Sequence, residues 1–186
     1  AVLRVAAGPV APVGAAPYGR TVHRLDPETF FLPIDDQLPI VVDDYRALLA
    51  ASLDGLSEEQ VRRRLVPSRT TLLGLVKHAV FVEKVWFDEA VMGRSRAEIG
   101  IPATPDESFV LTEEDTVASV LADYAAACAA SRRAVAGMDL DDVVTGNRRG
   151  PLPLRWVYLH MVAELAQHCG HADILREQVR AGGAAS

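Results

Sequence analysis

Three of the chain's five histidines, His160, His168 and His171, fall within a dozen positions of one another, and Glu164 stands among them. At about 100° of turn per residue in a helix, with His160 at zero, Glu164 falls near 40°, His168 near 80° and His171 near 20°. Val157 and Leu175 share that sector. Side chains able to ligate a metal are therefore threaded through an apolar face, where polar groups require partners. A metal ion is one partner that satisfies several of them together.

The four cannot all hold one ion. At about 1.5 Å of rise per residue, His160 and His171 stand roughly 16 Å apart along the axis, whereas bonds from zinc to its ligands are about 2 Å long. Pairs one turn apart can converge: His160 with Glu164, Glu164 with His168, or His168 with His171. An imidazole from a second helix would complete a set of three, and His78 is the candidate. With the same helical turn per residue, Leu75, Val82, Val85 and Trp86 all fall within about a quarter-turn of His78, so His78 points into the core. Three ligands with a vacant position are a catalytic arrangement, while a closed structural zinc site would want four, usually with cysteine. The paired Glu-x-x-His motifs of a di-iron bundle and an HExxH motif are both missing. Cys169 adjoins His168 but points a third of a turn away, and it reads with Cys128 as a small core residue. At the start of the last helix, Arg155 and Trp156 could meet an anionic substrate or brace a loop.

These side chains need helices to carry them, and the sequence supplies four long amphipathic segments. Asp43 and Asp44 offer an N-cap for a helix over YRALLAASLDGL that Gly55 closes, and Ser57 to Gln60 forms a capping box for a short helix before Pro67. Ser68 or Thr70 can cap the helix that bears His78 and ends at Gly93. Thr112 to Asp115 opens a third, with Val117, Val120, Leu121, Tyr124 and Cys128 on its core face. The last runs from Trp156 to Arg180. The segments Arg94 to Leu111 and Asp139 to Pro153 read as loops that name no chemistry. No run alternates with period two for long enough to make a strand, so the expected fold is an all-α four-helix bundle over residues 41–186. Residues 1–40, with six prolines, read as an irregular extension whose apolar pieces FFLPI and LPIVV would cover apolar surface on the domain or on a second protomer.

Composition bounds the function. With 186 residues, 49% of them apolar, the chain is about one domain long, and its net charge of −6 offers no basic face for a nucleic-acid backbone. No apolar run is long enough to span a bilayer, and two distant cysteines fit a reducing compartment, so a cytoplasmic location is expected.

The segments SRTTLLGLVKHAVFVEKVWF, LTEEDTVASVLADYAAACAASRRAV and LRWVYLHMVAELAQHCGHADILRE resemble the DinB-like superfamily, in the branch of mycothiol-dependent maleylpyruvate isomerase and the mycothiol S-transferases. The likeness runs from about Val41 to Arg180. It implies one divalent metal ion, zinc or nickel, held by His78 on one helix and by the Glu-x-x-x-His pair Glu164 and His168 on the last. It also implies a homodimer and a low-molecular-weight thiol, mycothiol, as co-substrate for attack on a small electrophile. His171 falls close enough to this set to face substrate. The alternatives are a lyase, hydrolase or isomerase that uses the metal without a thiol, and a non-catalytic binding module.

Overall fold

Four of the helices begin where a side chain satisfies their first free N–H groups. The computed structural model describes residues 25–183. In it Ser57 and Gln60 form the expected capping box at the head of α2 (Glu58–Arg62). Thr71 accepts from the Gly74 amide at 3.0 Å to start α3 (Leu72–Glu83), and Ser95 with Glu98 caps the short α4 (Arg96–Ile99). Thr116, paired with Ser119, starts α5 (Val117–Ala134). Thr112 to Asp115 is thus a turn and not the first turn of that helix. Lys77 Nζ reaches Asp115 Oδ2 at 2.7 Å, and Arg62 donates to the Thr112 and Asp115 carbonyls.

The first long helix departs from its expected start. α1 (Ile34–Ala51) begins well before Asp43 and carries Pro39 inside it. An internal proline costs about 3 kcal/mol, but Leu38, Val42, Arg46 and Leu49 bury themselves along the helix, and this tertiary contact outweighs the local preference. Gln37 reinforces the entry by donating to the Phe30 and Leu32 carbonyls, at 3.2 and 2.7 Å. Asp43, expected to be a cap, instead pairs with Arg46 at 2.8 Å and with Arg132 of α5 at 2.9 Å. The part of the extension before residue 25 lies outside the described residues.

α3 does not continue as an α-helix to Gly93. From Lys84 to Val91 it widens into a π-helical segment, which lets Trp86, Phe87 and Ala90 all face inward. The loop from Arg94 holds α4 and a 3-10 turn over Asp106–Phe109. Two short strands, β1 (Val143–Val144) and β2 (Leu152–Pro153), pair antiparallel and pinch the second loop; two residues each are too few to show an alternation. The last helix, α6, spans Leu154–Gly183. α1 packs along α6, and α3 packs on both α5 and α6. Their shared core includes Leu49, Leu72, Leu75, Phe87, Met161 and Leu165. One ion pair lies inside it. The Arg46 guanidinium grips the fully buried Glu83 carboxylate through both oxygens, at 2.8 and 2.5 Å, and Ser131 Oγ donates to Glu83 at 2.6 Å.

Candidate metal centre

His78 sits on α3 among Leu72, Leu73, Leu75, Val76, Ala79 and Val82, all buried, and only Lys77 and Val80 of that helix reach partway to solvent. The ring is clamped from the loop. Phe109 stacks on it with centroids 4.0 Å apart and an interplanar angle of 13°, and Ser108 Oγ lies 2.6 Å from His78 Nδ1. The Ser108 hydroxyl also donates to the Pro105 carbonyl at 2.5 Å. A hydroxyl has one hydrogen, so with that hydrogen on Pro105 the Nδ1–H of His78 must be the donor towards Ser108. In the neutral ring this leaves Nε2 as a bare acceptor. It faces another acceptor, Glu164 Oε1, at 3.6 Å.

Glu164 and His168 project from α6 one turn apart, with His168 Nε2 3.1 Å from Glu164 Oε1. One donor atom each from His78, Glu164 and His168 falls within 4.8 Å of the others. His168 Nδ1 is buried and has no hydrogen-bond partner among the described residues. The ring nitrogens of His168 and His78, each a donor to it when protonated, hold the Glu164 carboxyl far below the usual carboxylate range against its partial burial. With those nitrogens deprotonated, three electron-pair donors converge on one point, and a positive charge placed there would satisfy all three. Two imidazoles and a carboxylate suit zinc or nickel. The Glu164 side chain keeps 25% of its exposure, so the cluster opens to solvent on that side.

Aromatic rings wall the approach. His160 stacks on Trp156, centroids 5.2 Å apart and 5° from parallel, and leans on Trp86 at 4.5 Å, with its Nε2 4.0 Å from Glu164 Oε2. Burial pushes His160 below the ordinary histidine range, Glu164 opposes this, and Arg149 adds to it. His171 is exposed, its ring 6.0 Å from that of His168. Arg155 is turned to the loop: its side chain pairs with Asp141 and its amide donates to Leu140 O at 2.8 Å. Of the residues singled out in the sequence, His78, Glu164 and His168 come together, His160 and Trp156 line the approach, His171 stands at the edge and Arg155 lies apart.

Ser108, Phe109 and Arg149 were missed. They sit in loops without periodicity, and only the position of those loops over His78 and the tryptophans could have exposed them.

A model of the mycothiol S-transferase family matches residues 37–181. The chain belongs to the mycothiol S-transferase family. That family lies within the DinB-like superfamily, and the helical bundle agrees with the superfamily's fold. No curated protein matches the chain. No helix among the described residues is long and apolar enough to cross a membrane.

Proposed function

We propose that the protein is a metal-dependent S-transferase that joins a low-molecular-weight thiol, mycothiol, to a small electrophile, with His78, Glu164 and His168 as ligands of one divalent ion. The observation that supports this reading is the Nε2 of His78, a bare acceptor in the neutral ring, facing the Glu164 carboxylate with His168 beside them, an arrangement that a metal ion between the three would satisfy. A divalent ion bound there supplies a Lewis-acidic position that lowers the pKa of a thiol to the neutral range. The residues do the rest. Ser108 fixes the imidazole of His78, Glu164 contributes the charge that holds a dication, and the Trp86, Trp156 and His160 rings exclude water from one side of the approach.

The thiol has to come from outside. Burial pushes both Cys128 and Cys169 up to about 12, so they remain protonated at neutral pH and cannot serve as nucleophiles. In the overall reaction a sulfur–carbon bond forms, the electrophile's bond to its leaving group breaks with the electron pair going to that group, and the thiol proton passes to solvent. His171, exposed at the rim, faces substrate in this reading, and Arg155 braces the loop.

The test is elemental analysis with a spectroscopic arm. Purified protein should carry about one zinc or nickel per chain, lost in His78→Ala and His168→Ala. Cobalt-substituted protein should gain a sulfur-to-metal charge-transfer band on addition of mycothiol, with release of a proton. Conjugation of a bimane should be faster in wild type than in His168→Ala. Protein that holds no metal after reconstitution would end the metal reading. A metal-loaded protein without the band would redirect it to metal-bound water acting on another metabolite, or to a binding module.

A further inference from the structure

Arg149 lies in the loop between β1 and β2, and the chain around it fixes its place. The Gly146 amide donates to Ala90 O at 3.1 Å, and the backbones meet so closely that a Cβ on Gly146 would stand 2.0 Å from Glu89 O. The loop is therefore seated on the π-helical segment that carries Trp86. Asn147 Nδ2 donates to Gly150 O, and the Arg149 amide donates to Asn147 Oδ1, both at 2.8 Å. The Arg149 guanidinium lies over Trp156 at 5.3 Å and over Trp86 at 6.0 Å.

Stacking engages the face of a guanidinium and leaves its N–H donors, which lie in the plane, free at the edge. Arg46, Arg94, Arg96, Arg132 and Arg155 each pair with a carboxylate. Among the described residues none pairs with Arg149. It stands beyond the rings that contact His160, which in turn lies 4.0 Å from Glu164. An exposed cation, positioned by its loop and paired with no carboxylate among the described residues, thus flanks the centre and is free to meet an anionic group.

We propose that Arg149 is a specificity residue that binds a carboxylate of the electrophilic co-substrate through two parallel N–H···O bonds. This assignment rests on the S-transferase reading for the word electrophile, though the anion site itself does not depend on it. One planar fork matches one carboxylate.

The chain has two tryptophans, and both contact Arg149, so intrinsic fluorescence reports on this place alone. Dinitrobenzoate and dinitrobenzene are unreactive quenchers that differ by one carboxylate. Dinitrobenzoate should bind wild type about tenfold more tightly, as expected for a charge-assisted pair near the surface. Arg149→Gln should bring the ratio close to one, and Arg149→Lys should leave it in between, because a point charge lacks the fork. Equal binding of the two probes to wild type, or a ratio that survives Arg149→Gln, would overturn the assignment. Turnover separates it from the wider reading. With mycothiol, the kcat/KM ratio of chlorodinitrobenzoate to chlorodinitrobenzene should fall about tenfold in Arg149→Gln, through KM. If wild type turns over neither aryl chloride but keeps its binding preference, the S-transferase reading fails and the anion site stands. Turnover of both with no preference sinks the Arg149 assignment alone.

Discussion

One hydrogen atom governs the chemistry at His78. The Ser108 hydroxyl gives its proton to the Pro105 carbonyl and accepts from His78 Nδ1, so in the neutral ring the lone pair on Nε2 is turned to the cluster. Replacing Ser108 by Ala removes that orientation while leaving all three ligands in place. Partners that orient a ligating histidine contribute about 10- to 100-fold in metal affinity. A competition titration against a chromophoric chelator should show a loss of that size in Ser108→Ala, with the helical signal in circular dichroism unchanged. Affinity equal to wild type would mean that Phe109 stacking alone orients the ring. Glu164→Gln should weaken the metal less than His168→Ala does, since an amide oxygen still coordinates but has lost the charge. Reading the helix faces was enough to set His78 and the stretch from His160 to His171 inward, and the family resemblance, not the spacing, singled out the three that converge. The spacing of Glu164 and His168 and the apolar surroundings of His78 are periodic features, whereas Ser108 acts from a loop in which neither period nor neighbours reveal it.

At the scale of elements, the Arg46–Glu83 pair ties α1 to the junction where α3 turns π-helical. Glu83→Ala would leave the buried guanidinium with only the more exposed Asp43, and loss of the buried partner of such a pair costs about 3–5 kcal/mol. Urea unfolding should register that loss for Glu83→Ala and a markedly smaller one for the double change Arg46→Leu with Glu83→Leu. Similar losses for both would show that packing, not charge, is at stake. A second tie, between Lys77 of α3 and the turn before α5, responds to pH. Burial raises the Asp115 carboxyl, but its bonds to Lys77 and Thr112 outweigh that and leave it below its ordinary 3.8. A carboxylate lowered by folding stabilises the native state above the ordinary value and stops doing so as pH falls through the lowered one. Wild type should therefore lose stability below about pH 4 more steeply than Asp115→Asn, read as urea midpoints across that range. Parallel curves would remove Asp115 from the acid response. The helices themselves were legible because each long one carries an apolar stripe, and α2 and α5 open on capping residues as well. The start of α1 was not, because Pro39 argues locally against a helix that burial on α6 then imposes. Nor was the π-helical widening, since the contacts of Trp86 and Phe87 that it serves are made with Trp156, His160 and Tyr158, residues far away in sequence.

On the scale of the whole molecule, the head of α1 and the turn before it expose Phe30, Phe31, Ile34 and Ile40, with Phe31 90% accessible. We propose that this cluster contributes to a homodimer interface. Light scattering should then give twice the 20.0 kDa chain mass, and Phe30→Ser with Phe31→Ser should return it towards the monomer. A wild-type monomer at micromolar concentration would end that expectation. The packing of α1 along α6 has a different kind of consequence, one of time. α1 is made long before its main partner α6, and Glu164 and His168 arrive with that partner. Until α6 is made, α1 must carry Leu38, Val42 and Leu49 without that cover. Docking of α6 and completion of the cluster of His78, Glu164 and His168 therefore come as one event.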